Sequence, residues 1–457
     1  MEDTNQLSVM RQYFDSGVTQ TYEFRKKQLL LLKNAITLHS PAIQAALYTD
    51  LKKSPEETWV TETGFLLSTI SHALKHLRSW MRPQKVATNL LNLPSSSYII
   101  TEPLGVVLII GPWNYPLHLL LTPMVGAIAA GNCVVLKPSE FAPATGAVIN
   151  NIIEAIFEKQ YVQVVAGEGA AVIPAMMNDF AFDHVFYTGS TTVGKIIYQL
   201  AAAKLVPVTL ELGGKSPCIV TGDADITVSA KRIAMTKFSN AGQMCVAPDY
   251  LLVHHSVKEQ LVNALKKALQ DFFGSDAAQS DEYGRIINTR QFDRLVGYLQ
   301  QGNVLTGGNT HRDNLYIAPT LMDEIALDSP VMNEEIFGPI LPMLTYTTPA
   351  EAKSIIARNK NPLALYVFSS DKQKANEWIN AIPFGGGCIN NAALHLTNHH
   401  LPFGGRGLSG SGNYRGKFSF DTFSHKKGVM KTPTWFDPAA RYPPFKGKLK
   451  LLQWLMK

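Results

Sequence analysis

The chain has 457 residues, more than one core usually holds, so two or three substructures are expected. Hydrophobic residues make up 46% and charged residues 17%, the balance of a packed soluble enzyme, which excludes a disordered chain. The net charge of +6 is spread over the whole length, and basic clusters such as KGKLK (446–450) have no recognition motif beside them, which argues against a nucleic-acid binder.

The opening MEDTNQ is acidic and polar, unlike a secretory leader. From about Val9 to Met81 apolar residues recur at helical spacing (QLLLLKNAI, FLLSTISHALKHL), predicting a set of amphipathic helices. From Thr101 onward the texture changes. The β-rich runs GVVLII, CVVLK, VQVVAG, HVFYTG and PVTLEL alternate with helical stretches such as LHLLLTPMVGAIAA, APATGAVINNIIEAIF and TVGKIIYQLAAAK. Strand then helix, repeated, predicts a parallel sheet covered on both faces, hence an α/β nucleotide-binding domain. The longest apolar run, 117–130, contains His118 and Pro123 and is too short to span a bilayer. After Leu212 the runs PCIV, YLLVHH, ALYVFS and GGGCINN predict a second α/β unit, with a boundary near 209–213. The last forty residues or so, rich in Pro, Lys and aromatics, read as a surface arm or tail. The four cysteines, Cys133, Cys218, Cys245 and Cys388, have no metal-ligand spacing and form no disulfide framework. A reducing compartment, the cytoplasm, is expected.

Several short stretches carry possible chemistry. GSTTVG (189–194) lies where a β-rich run turns into a helix; free N–H groups there suit a pyrophosphate, although a tight turn without a ligand explains the same residues. LKPSE puts Lys137 and Glu140 at a strand's carboxyl end, where they suit ribose hydroxyls or form a solvated charge pair. In GPWNYP the prolines restrict the loop around Asn114, whose amide is then a rigid donor of the kind an oxyanion requires; a structural turn is the alternative. TLELGGKSP places Glu211 between Leu210 and Leu212. Desolvation there makes it a candidate general base, unless it points to solvent. FSNAGQMCVAPDY (238–250) sets Cys245 among small and amide residues with no histidine, leaving a nucleophile, a metal ligand or a buried small side chain as readings.

Taken in order, these motifs resemble the aldehyde dehydrogenase superfamily. The resemblance rests on GPWNYP, LKPSE, YTGSTTVG, LELGGKSP, F-x-N-x-G-Q-x-C, NEEIFGP (333–339) and PFGG (402–405), and it runs across nearly the whole chain. The length and the APDY after Cys245 are most similar to the class 3 branch, which handles fatty and aromatic aldehydes. The resemblance implies a Rossmann-like nucleotide-binding domain (1–209), a second α/β catalytic domain (210–404), an oligomerisation arm near 85–103, and an oligomerisation segment with a C-terminal tail (405–457). It implies Cys245 as nucleophile, with Asn114 and the Cys245 N–H holding the oxyanion. Glu211 would activate water to hydrolyse a thioester. It also implies NAD contacts from Trp113, Lys137, Glu140, Gly189, Ser190, Val193, Gly194, Leu212, Glu335 and Phe337, with no metal. The Glu140 carboxylate disfavours the extra phosphate of NADP, so NAD is expected and NADP is the alternative. A homodimer is expected, and the amphipathic basic tail KGKLKLLQWLMK suits a neighbouring subunit or a membrane surface.

Three rival readings weaken on the residues. An acylating or acyl-phosphate-forming relative would tend to lack the glutamate at Glu211. A cofactor-free cysteine hydrolase needs a base paired with Cys245, and no histidine motif supplies one. A non-catalytic family member would not need Cys245, Glu211 and Asn114 together. The physiological aldehyde is not legible in the motifs, because loop geometry shapes the pocket.

Overall fold

The five β-rich runs predicted first lie side by side as parallel strands, Val106–Ile110, Cys133–Lys137, Val162–Val164, His184–Thr188 and Val208–Glu211. The computed structural model describes residues 2–456 of the chain. Val106–Ile110, Cys133–Lys137 and His184–Thr188 are buried at every position, as expected of strands covered on both faces. Between successive strands run the helices His118–Ala130, Pro143–Ile156, Gly169–Asp179 and Thr191–Ala202. Across the sheet the order is 208–211, 184–188, 106–110, 133–137, 162–164, so the winding reverses between 106–110 and 184–188. Ligands of such sheets bind beyond the carboxyl ends at that reversal.

His118–Ala130 is buried on all sides and stops at Gly131, whose φ of 98° is a left-handed value that glycine adopts readily. Helices of the N-terminal region, Tyr22–Leu38 and Gly64–Trp80, pack against it, while Ser40–Leu51 packs on Pro143–Ile156.

Between Leu212 and Ser216 the chain passes into a second sheet of seven strands. Its order is Asn303–Thr306, Thr320–Asp323, Ile340–Tyr346, Tyr250–His254, Pro217–Val220, Ala364–Phe368 and Gly386–Ile389, and every pairing but the first is parallel. The molecule is thus a Rossmann-like unit joined to a second α/β unit.

Within segment 405–457, regular elements extend and cover the first sheet. Gly410–Ser411 adds an antiparallel edge strand to Val208–Glu211, pairing Gly410 with Glu211. The helix Lys417–Thr422 packs on His118–Ala130, and Asn132 Nδ2 donates to the Phe423 carbonyl at 2.9 Å. Buried Phe420 and Phe423 explain why this segment sits against the first sheet. Ser424–Lys431 then pairs along its full length with Ser96–Pro103, which Gln84–Val86 extends to three strands. Among the described residues, no helix is long and apolar enough to cross a membrane.

Candidate active site

The carboxyl edge of the first sheet presents, strand by strand, Glu211, Gly189, the loop carrying Trp113 and Asn114, and Lys137. The second sheet contributes segments that lead into its strands: Gly213 to Ser216, the Cys245 loop and the Glu335–Phe337 loop. Specific contacts close the seam. Asn114 Nδ2 donates to the Gln243 carbonyl at 2.9 Å, the Trp113 and Phe337 rings meet edge to face at 5.1 Å, and Glu335 abuts the space a side chain at Gly213 would take.

Cys245 lies just after a short helical turn, Ser239–Gly242, in which Asn240 and Ala241 both adopt a φ of 50°. Such left-handed positions persist only where the surroundings enforce them. Here Gln243 does so: its Nε2 donates to the carbonyls of Asn240 (3.0 Å) and Arg285 (2.9 Å), while its Oε1 accepts from Ile287 N at 3.0 Å. Asn114 is 2% exposed and doubly tied, its own carbonyl accepting from Lys53 Nζ and Asn240 Nδ2, both at 2.9 Å. The Gln243 bond uses one of the two amide hydrogens of Asn114 and leaves a second donor.

Lys53 is buried against Glu62 at 2.7 Å and sits 3.9 Å from the Tyr115 ring centroid; Glu62 also accepts from His118 N at 2.8 Å. Glu57 accepts from Asn240 N at 2.7 Å. This polar cluster braces the Asn114 and Cys245 loops against each other.

The electrostatics are those of a buried, acidic site. Glu211 is 3% exposed and neither carboxylate oxygen has a hydrogen-bond partner, so burial holds its carboxyl well above the ordinary range, with Arg415 pulling the other way. Burial and the neighbouring Asp249 push Glu335 up to about 8, against the Gly214 N–H, Lys215 and Arg294. Cys245 remains partly exposed; burial, then Glu335 and Glu211, push its thiol up to about 12, and Arg415 opposes them. Carboxylates and thiolate compete here, so not all of them ionise together.

Cys133 and Cys218 are buried in strands, as their apolar runs predicted; burial raises both thiols, Cys133 to about 12. Cys388 is partly buried, with its sulfur 3.6 Å from His395 Nδ1. Among the described residues, no group of His, Cys, Asp and Glu could hold a metal.

The remaining residues fit a nicotinamide nucleotide. A side chain at Gly189 would collide with the Tyr187 hydroxyl, so this turn keeps its backbone open. Ser190 caps the helix Thr191–Ala202, its Oγ accepting from Val193 N at 3.4 Å, and other first-turn N–H groups suit an anion. Val193 is exposed, whereas a Cβ on buried Gly194 would lie 2.6 Å from Leu212 Cδ2, which makes Gly194 and Leu212 a packing pair beneath that turn. Lys137 Nζ donates to Glu140 at 3.1 Å, and Glu140 also accepts from Gly169 N at 2.9 Å. Partial burial pushes the Glu140 carboxyl up, but these bonds outweigh it and hold it low, so it stays anionic. Buried Glu335 Oε1 has no partner and is suited to a hydroxyl.

The motif reading did not single out Lys53, Glu62 or Arg415. Lys53 sits in a KKSP stretch indistinguishable from a solvated turn, and Arg415 lies in the segment 405–457 that the resemblance gave to oligomerisation. Asn240 and Gln243 were within reach, being motif letters in F-x-N-x-G-Q-x-C.

Two α/β sheets meeting edge to edge over a thiol, a desolvated carboxylate and a held amide define the frame of a nucleotide-dependent enzyme. The family model described as "Aldehyde dehydrogenase family" matches residues 8–429. A 4,4'-diaponeurosporen-aldehyde dehydrogenase of Staphylococcus aureus is 47% identical, with 97% of each chain covered. Aldehyde dehydrogenase family 3 member H1 of Arabidopsis thaliana is 44% identical, covering 100% of this chain and 95% of the relative. The solved substrate-bound state of Staphylococcus aureus AldH superposes with a TM-score of 0.97 at 46% identity, covering 99% of each chain. The chain belongs to the aldehyde dehydrogenase family, with family 3 members among its relatives. It is an oxidoreductase that uses NAD(P).

Proposed function

We propose that the protein oxidises a medium- or long-chain aliphatic or an aromatic aldehyde to the carboxylic acid through a covalent adduct on Cys245. The observation that carries this reading is Glu211, a buried carboxylate with both oxygens free of partners and electrostatically coupled to Cys245. The Cys245 sulfur attacks the aldehyde carbon, and the resulting oxyanion is held by the second Asn114 Nδ2 hydrogen and the Cys245 N–H. One such donor typically contributes roughly 3–4 kcal/mol. When bound, NAD(P) accepts the hydride that leaves the adduct a thioester. Glu211 then takes a proton from water, the oxygen attacks the thioester carbon, and the Cys245 sulfur leaves as the acid forms. A raised carboxyl suits this step, because a stronger base results.

In the same reading Lys137 and Glu140 hold the adenosine ribose, and anionic Glu140 favours NAD over NADP. Gly189, Ser190 and Val193 form the pyrophosphate turn, underlain by Gly194 and Leu212. Glu335 takes the nicotinamide-side ribose, with Phe337 and Trp113 beside it. Residues 1–209 and 210–404 serve as nucleotide-binding and catalytic domains, and the arm near 85–103 with segment 405–457 supports a cytoplasmic homodimer. Exposed Trp435, Phe445, Leu449 and Trp454 beside lysines support a role of the tail against a second subunit or a membrane surface.

Cys245→Ser should abolish reduction of NAD by an aliphatic aldehyde, read by absorbance, while nucleotide binding persists. Turnover at the parent rate would sink the nucleophile assignment.

A further inference from the structure

Arg415 is 2% exposed, and no ion pair holds it among the described residues. Its guanidinium carbon lies 4.6, 4.7 and 5.3 Å from the ring centroids of Tyr414, Phe65 and Phe403. One end, Nη1, meets His118 Nε2 at 2.6 Å, and Nε has no partner. Burial, Arg415 and Lys53 keep His118 well below its ordinary range, so this imidazole is neutral and accepts from the guanidinium. A φ of 92° marks the Arg415 backbone as enforced, with its N–H donating to Ser419 Oγ at 2.8 Å. The fold therefore buries a permanent cation among three rings and a neutral histidine with no carboxylate paired to it; the rings offset part of the desolvation cost, and an anion nearby offsets more.

Two groups that become anions share its field. The edge strand leading to Arg415 pairs Gly410 with Glu211, and Arg415 is the cation coupled to both Glu211 and the Cys245 sulfur. The other titratable groups facing the sulfur are Glu335, Tyr115, Tyr366 and Tyr414; those facing the guanidinium are His118, His395, His399 and Tyr414. A second buried cation, Lys53, lies 3.9 Å from the Tyr115 ring centroid but is already paired with Glu62 at 2.7 Å.

We propose that Arg415 is a positioning residue, the fixed counter-charge that opposes the burial of Cys245 and Glu211 and so eases formation of the thiolate before attack and of the carboxylate during hydrolysis. This rests on the roles given above to Cys245 and Glu211. The thiol proton passes to solvent, the S–H electron pair stays on sulfur, and no oxidant is needed. Simple filling of the slot between the rings would leave thiol reactivity unmoved.

The test is alkylation of Cys245 by iodoacetamide between pH 7 and 10, read by mass spectrometry of the Cys245 peptide, with far-UV circular dichroism confirming the fold. It requires neither aldehyde nor nucleotide, so it stands even if Cys245→Ser turns over aldehyde and the catalytic reading falls. Arg415→Met and Arg415→Gln should slow alkylation about tenfold at pH 8, and Arg415→Lys should stay within threefold of the parent. Parent-like rates in the neutral variants, or an equal loss in Arg415→Lys, would overturn the proposal. If neither neutral variant folds, Arg415→Lys decides: a rate within threefold sustains the proposal and a tenfold loss refutes it.

Discussion

Replacing Lys53 with Met keeps the stem and removes the charge that ties the Asn114 loop to the N-terminal helices. Both side chains of the Lys53–Glu62 pair are 0% exposed, so the substitution strands a carboxylate in the interior. Removing one partner of such a pair costs about 3–5 kcal/mol. Loss of the 2.9 Å bond to the Asn114 carbonyl adds about 1 kcal/mol, since Asn240 Nδ2 still serves that oxygen. Glu62 escapes part of the penalty by binding a proton. Burial already holds its carboxyl up against the pull of Lys53, and removing Lys53 raises it further. A group raised in the folded state contributes stability that is present below its unfolded value and lost as pH climbs. Urea unfolding followed by tryptophan fluorescence should therefore show the full loss at pH 8 and a clearly smaller one at pH 5.5. Adding Glu62→Leu should recover part of it at pH 8. A loss under about 1 kcal/mol that does not vary with pH would refute the buried pair.

Gly194→Ala places a methyl 2.6 Å from Leu212 Cδ2 and should cost about 1–3 kcal/mol in urea unfolding, relieved by Leu212→Ala. Glu335, raised to about 8 from an unfolded value near 4.5, makes the folded state lose stability as pH climbs between those points. Glu335→Gln should accordingly gain on the parent across that window and level off above it, and parallel pH–stability curves would contradict the raised carboxyl. With a thiol reagent on the folded protein, Cys245 and Cys388 should react while Cys133 and Cys218 stay silent, because only the first two are partly exposed.

The strands were legible wherever burial on both faces demanded apolar runs, as in Val106–Ile110 or Tyr250–His254. Ile340–Tyr346 was not, because Pro339 and Pro342 disguise it, and Ser424–Lys431 hides behind lysines that its exposed faces permit. The placement of candidate site residues was legible where motifs mark strand ends, at Lys137, Gly189 and Glu211. The bracing charges were not, since a lysine or arginine reads as solvated until distant chain buries it. Lys53 meets Asn114 61 residues away, and Arg415 meets His118 297 residues away.

Two roles are tested together by trapping the acyl-enzyme: Cys245 carries the acyl group, and Glu211 activates the water that removes it. Glu211→Gln, mixed with NAD and hexanal and then quenched, should show the acyl mass on the Cys245 peptide, with one reduced nucleotide formed per site before turnover stalls. In the parent, deacylation should accelerate as pH rises above neutral, as a raised base requires, and this dependence should vanish in the variant. Steady turnover in Glu211→Gln at the parent rate, or an acyl mass on Cys388 instead, would contradict the account.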